Sequence, residues 1–280
     1  MRRSLFLMRF RRDPLAVLSL IVILGLLFIA FFGEMMSPYP HDLQDADQSL
    51  VAPSAQHWMG TDLLGRDLFS RLIYGTRISM AVSLLTGFSA LLLGTCYGAI
   101  SGYVGGRLDH LMMRGVDVLY AIPDLLLIIL ITVVIGRGVT GVFLALSLVA
   151  WITVARLIRG EVLRLKENAY VEAARAFGVK DMQILLKHIL PNTLGVLIVT
   201  LTFRIPSAIL AESTLSFIGL GLTPPATSWG SLANEGWKAL KFYPHLIVFP
   251  SLAIFITMLA FNFLGDGLRD ALDPKEQERL

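Results

Sequence analysis

Long apolar runs separated by polar connections of uneven length dominate this chain. They cover residues 15–32, 78–100, 118–135, 142–158, 194–215 and 246–263. A bilayer core of roughly 30 Å needs about 20 residues of helix, and each run is near that length. The pattern predicts an all-α integral membrane protein with six transmembrane helices in a single domain, residues 1–280. The first run is long for the core of a cleavable leader, and no small-residue cleavage site follows it, so it reads as a retained span. The largest polar connections fall at about 33–77, 161–192 and 216–245.

The connection before the fifth run has its own pattern. Residues 170–192 read YVEAARAFGVKDMQILLKHILPN, a polar helix-turn-helix between two apolar stretches. Asn168 is a good N-cap, and residues 169–177 hold alanines but no Gly or Pro, which favours a short helix. Gly178 ends it, because Gly adopts the left-handed cap without steric penalty. A second helical piece is expected over about 180–189, up to Pro191, and Pro is compatible with starting the next helix. Tyr170, Ala174 and Phe177 form a narrow stripe at i, i+4, i+7, while Ala173 and Ala176 keep the flanks small. Such a helix suits insertion into a groove on a partner. Pattern alone fits an amphipathic linker on the membrane surface equally well.

Composition agrees with membrane residence. The chain is 55% hydrophobic and 16% charged, against about 25% charged in ordinary soluble domains. Mean hydropathy is +0.68. Basic residues then set the orientation. A cytoplasmic N-terminus places Arg2, Arg3, Arg9, Arg11, Arg12, Arg107 and Arg114 inside, with Arg156, Arg159, Arg164, Lys166, Arg175, Lys180, Lys187, Arg269, Lys275 and Arg279. Only Arg66, Arg71, Arg77, Arg137, Lys238 and Lys241 fall outside. Both termini and the 161–192 segment are therefore expected in the cytoplasm. The formal charge of +3 reflects this bias, without the basic stripe or aromatic ladder of a nucleic-acid binder. Cys96 is expected to be a small buried packing residue. The five histidines are scattered, with no pair at ligand spacing.

The string Glu172-Ala173-Ala174, then Gly178, then Leu190-Pro191 resembles the cytoplasmic coupling loop of ABC-importer permeases. Three other stretches narrow the resemblance, which runs nearly the whole length: HWMGTDLLGRDLFSRLIYGTRIS at 57–79, ESTLSFIGLGLTPPATSWG at 212–230 and NFLGDGLRDALDP at 262–274. These look like the dipeptide, oligopeptide and nickel permeases, and within them the C-type partner of the permease pair. One departure is His188, where the family often has Ile three residues before the Pro. The resemblance implies a type I importer architecture in the cytoplasmic membrane. It also implies a homologous B-type permease as partner, two ATP-binding subunits that hold ATP and Mg, and an extracytoplasmic substrate-binding protein. The chain itself would then be no enzyme and carry no cofactor. Tyr170, Glu172, Ala173, Ala174, Phe177, Gly178, Leu190 and Pro191 would couple it to the ATPase, Glu172 and Gly178 most sensitively. Short peptides are the implied cargo, with nickel or glutathione-type compounds as alternatives.

Outside the coupling loop, charge and small residues carry the remaining signals. Asp62, Arg66, Asp67, Arg71 and Arg77 are expected on a charged outer helix, with exposed four-apart pairs worth a few tenths of a kcal/mol each. Trp229 and Trp237 are placed for the lipid headgroup level. Arg204 falls mid-span and must face protein or water. It would either line a translocation path with Asp124 and Glu212 or pair with Glu212 to hold helices. Pro123 and Pro206 are expected to kink their helices. Gly94, Gly98 and Gly102 let another helix approach the second span closely. A membrane enzyme would need a nucleophile, base or metal constellation, and no HExxH or GxSxG is present. An ion-coupled secondary transporter would more naturally show an internal repeat, and none is clear.

Overall fold

A computed structural model of the chain describes residues 8–272. Arg2, Arg3, Lys275 and Arg279, together with Asp273 and Pro274 of the 262–274 string, lie outside the described residues. The first span is α1, Pro14–Met36. Asp13 caps it, accepting hydrogen bonds from the backbone N–H groups of Leu15 and Ala16, and Pro14 occupies the first turn, where no N–H is needed. The second span is α2, Leu68–Val104, capped by Asp67. At 1.5 Å per residue it is about 55 Å long and projects well beyond a bilayer core.

The third span differs from a simple helix. α3, Gly106–Tyr120, is amphipathic, and α4, Asp124–Ile135, is almost wholly apolar. The two meet at 87°, so the 118–135 run straddles an elbow. Pro123 explains it: proline supplies no N–H and pushes the preceding residue out of the helical region. α4 alone is about 18 Å long, too short to cross. Next come α5, Val139–Lys166, and the short α6, Ala169–Ala176. A turn at Asp181–Gln183 leads into a π-helical stretch, Ile184–Ile189, which runs on into α7, Leu190–Phe217. α7 continues unbroken through Pro206. α8, Trp229–Lys238, opens with a reciprocal Ser228–Ser231 capping box, and α9, His245–Leu272, is the last span. Among the described residues, five helices are thus long and apolar enough to cross a membrane, six if the bent pair counts as one span.

The bundle is built on α2 and α5, which pack more extensively than any other pair. Gly94, Gly98 and Gly102 make the seam. A Cβ on Gly98 would lie 2.3 Å from the Ala155 carbonyl oxygen, and one on Gly102 would lie 2.9 Å from that of Arg159. The seam admits only hydrogen at these positions. α9 closes the other side against α1, α7 and α8.

Two residues sit opposite to their sequence expectations. Cys96 is exposed, because the glycines turn the other face of α2 toward α5. Trp229 is completely buried, its indole Nε1 donating to Thr76 Oγ1 at 3.3 Å and its ring against Gly75. Trp237 alone of the pair is exposed.

Candidate functional site

At one end of the bundle α6 stands off from the spans. Asn168 is extended, and its carbonyl accepts from Val171 and Glu172, whereas its side chain makes no cap bond. At the far end Gly178 has φ +75°, its N–H donates to Arg175 O at 2.9 Å, and Val179 N–H donates to Ala174 O at 3.1 Å. This paired closure satisfies the last helical carbonyls. Val171 and Ala174 are buried in the core shared with Ile184, Leu185 and Ile189. The sequence stripe is therefore split: Ala174 turns inward, while Tyr170 and Phe177 face out. Phe177 is 88% exposed. Glu172, Ala173 and Gly178 are exposed beside it. Leu190 starts α7, and Pro191 follows in its first turn, where the widened π-helical stretch has just ended.

The same end is tied together by polar groups that sequence reasoning did not single out. Tyr103, near the end of α2, donates to Asp181 Oδ1 at 2.6 Å, and its carbonyl accepts from Lys166 Nζ at 2.6 Å. Lys166 and Arg175 lie 5.4 and 5.9 Å from the centre of its ring. Arg159 of α5 holds Asp109 of α3 through two 2.6 Å bonds, and Ser101 of α2 adds a third. Arg159 had entered the sequence reading only as a topology charge. No spacing rule connects it to Asp109, fifty residues away.

At the opposite end of α2, residues 60–67 form a loop. The charged outer helix expected there begins only at Leu68. The Asp62–Arg66 pair forms at 2.7 Å, but Asp67 and Arg71 do not pair through their side chains. Asp67 instead accepts from Ser70 as a cap and meets His57 at 2.9 Å. Arg71 is 2% exposed and reaches Asp62 and Glu235, with Nη2 also donating to Thr227 at 3.1 Å. These charges are a buried staple joining the outer loop to α8, where removing one partner would strand the others.

Between these ends lies a cleft of about 340 Å³, walled by α2, α4, α5 and α7. Asp124 and Arg204 both line it, with Thr86, Ser207 and Thr214. Arg204 is half-buried and Asp124 exposed, and they do not reach ion-pair distance. Glu212 lies elsewhere. It is fully buried, accepts from Ser216 Oγ at 2.7 Å and Ser79 Oγ at 3.4 Å, and makes no pair with Arg204. Two helical turns along α7 carry the Glu212 side chain toward α8 instead of into this cleft, so the expected pair with Arg204 does not form.

These features define a polytopic helical membrane protein with a polar cleft and a solvent-facing helix at one end. Comparison with known proteins gives the family. Residues 94–278 match the model for the binding-protein-dependent transport system inner membrane component, and residues 3–53 match the N-terminal TM domain of oligopeptide transport permease C. The chain is 44% identical to the oligopeptide transport system permease protein OppC of Bacillus subtilis, over 96% of this chain and 88% of that one. It is 45% identical to the dipeptide transport system permease protein DppC of the same organism, over 95% and 84%. It is also 44% identical to the glutathione transport system permease protein GsiD of Escherichia coli O157:H7, over 96% and 89%. The fold is similar to that of the MetNI methionine ABC transporter in its inward-facing structures, with TM-score 0.61 and 20% identity over 74% of this chain and 97% of that one. The chain belongs to the family of inner membrane components of binding-protein-dependent transport systems. It is a multi-pass permease component of an ABC transporter and not its ATPase. That separates it from the membrane-enzyme and ion-coupled readings.

Proposed function

We propose that this chain forms half of a pore through which an ATP-driven importer moves short peptides into the cell. A homologous B-type permease supplies the other half, two ATP-binding subunits dock on the cytoplasmic side, and an extracytoplasmic binding protein delivers cargo. The single observation that carries the coupling part is α6: a closed helix whose inner face, Val171 and Ala174, belongs to this chain's core while Phe177 stands 88% exposed. Large apolar side chains offered in this way are typical anchors for a partner groove. Tyr170, Glu172, Ala173 and Gly178 surround it, and Leu190 and Pro191 pass its displacement into α7. Nucleotide-driven closure of the ATPase pair would swing α6, and α5 and α7 would reorient with it. The cleft holding Asp124 and Arg204 is the candidate translocation path, and Glu212 is left to a structural role.

Peptide cargo is supported by relatives of nearly equal identity named for oligopeptide and dipeptide transport. The glutathione permeases are similar to the same degree, and glutathione is itself a small peptide. Cysteine crosslinking from position 177 tests the docking, and peptide uptake by a deletion strain with and without the gene tests the cargo. Crosslinks to an ATP-binding subunit and restored uptake support the proposal. A position 177 reachable only from outside the cell would overturn it.

A further inference from the structure

The cleft between α4 and α7 contains two opposite charges that do not satisfy each other. Arg204 carries five donors on a half-buried guanidinium, and among the described residues no carboxylate lies within ion-pair distance of it. Asp124, on the facing wall, is exposed at the start of α4 and likewise unpaired. Thr86 also lines the cleft, but its hydroxyl oxygen is closed off from the open space.

We propose that this cleft is a transient binding subsite for the charged ends of a short peptide: Arg204 receives the carboxylate and Asp124 the ammonium. The proposal rests on the peptide reading above and gives it a chemical basis inside this chain. An extended dipeptide separates its terminal charges by roughly 7 Å at 3.3–3.6 Å per residue. A site for it therefore needs an acid and a base held apart, not closed on each other. Apolar neighbours such as Leu125, Ile128 and Leu146 line the walls and strengthen both charges by lowering the local dielectric. The volume of about 340 Å³ falls at the small end of ordinary ligand sites. Arg offers a carboxylate two parallel bonds, whereas a bare divalent cation would find only Asp124 attractive and Arg204 repellent.

The test uses the whole importer, with its ATP-binding subunits, partner permease and binding protein, reconstituted in vesicles. Uptake is measured for one dipeptide with free ends, as its C-terminal amide and as its N-acetyl form, in wild type, Arg204→Gln and Asp124→Asn. The binding protein is the same in every case, so its own selectivity cancels when the free-to-blocked ratios are compared between variants. Arg204→Gln should lower the preference for free over amidated peptide about tenfold, and Asp124→Asn the preference for free over acetylated peptide by a similar factor. The effects should not cross over. Should Arg204→Gln fail to assemble, Asp124→Asn decides, because that side chain is exposed. Unchanged ratios in assembled variants overturn the subsite while leaving peptide import standing. A wild-type complex that takes up none of the three peptides overturns the cargo reading and the subsite together.

Discussion

The Tyr103 hydroxyl donates to the Asp181 carboxylate at 2.6 Å, joining the last turn of α2 to the segment that follows α6. The contact spans 78 residues of sequence and ties a third membrane helix to the α6 region, the proposed coupling element. Tyr103→Phe deletes only the hydroxyl and leaves the ring beside Lys166 and Arg175. A hydrogen bond to a charged group contributes about 1.5–3 kcal/mol, so the attachment should loosen without loss of the fold. The expected result is normal assembly and ATP turnover but less cargo moved per ATP, read from parallel uptake and phosphate-release assays. An unchanged ratio would show the bond to be passive.

Gly178 gives a prediction of ranking. No atom outside its immediate neighbourhood lies within 4 Å of a Cβ built there, so a substitution meets no clash, only the φ of +75°. Left-handed backbone disfavours side-chain-bearing residues by about 1–2 kcal/mol, least for Asn and most for β-branched residues. ATP-driven uptake should therefore fall in the order Gly, Asn, Ala, Val, while membrane insertion stays intact in all four. Equal uptake by Gly178→Val would sink the lever account.

The α2–α5 seam supplies a paired test. A Cβ at Gly98 collides with the Ala155 carbonyl, whereas one at Gly160 meets nothing. Gly98→Ala should destabilise by about 1–3 kcal/mol through overpacking. Gly160→Ala should stabilise by about 0.5–1 kcal/mol through helix propensity. Thermal unfolding midpoints of the purified chain in detergent should move in opposite directions.

The Asp109–Arg159 pair should behave as a unit. Asp109 is buried and Arg159 about a third exposed, so stranding the carboxylate by Arg159→Met should destabilise by about 2–4 kcal/mol, toward the lower end because water reaches the pair. The double variant Asp109→Leu, Arg159→Met should recover most of the loss. A double-mutant cycle on unfolding midpoints measures the coupling, and strictly additive single effects would show that the bidentate contact contributes little.

Much of this architecture was legible in the sequence because membrane insertion writes itself into local composition. The apolar runs, Gly178 as a helix stop and the glycine spacing on α2 are all short-range signals. At the third span the break at Pro123 was legible, but its size, an 87° elbow that leaves α4 too short to cross alone, was not, because hydropathy averages over the proline. Trp229 was misplaced because an aromatic in an outer loop has the composition of an interfacial belt, while its burial depends on Gly75, far away in sequence. The charge pairs failed most often. Four-apart spacing presumes a helix, but residues 60–67 are a loop, and Arg71, on the first turn of α2, reaches Asp62 and Glu235 instead of Asp67. Arg204 and Asp124 were grouped as intramembrane charges together with Glu212, which lies elsewhere, because a cleft made by four helices has no local signature.

The glycine seam has a mechanical corollary. At Gly98 and Gly102 α2 and α5 touch main chain to main chain, and elsewhere the seam is filled by short branched side chains such as Val154 and Val162, so little in it is free to repack. In the proposed mechanism α5 would therefore carry α2 with it when α6 moves, leaving the elbow around Pro123 to take up the difference.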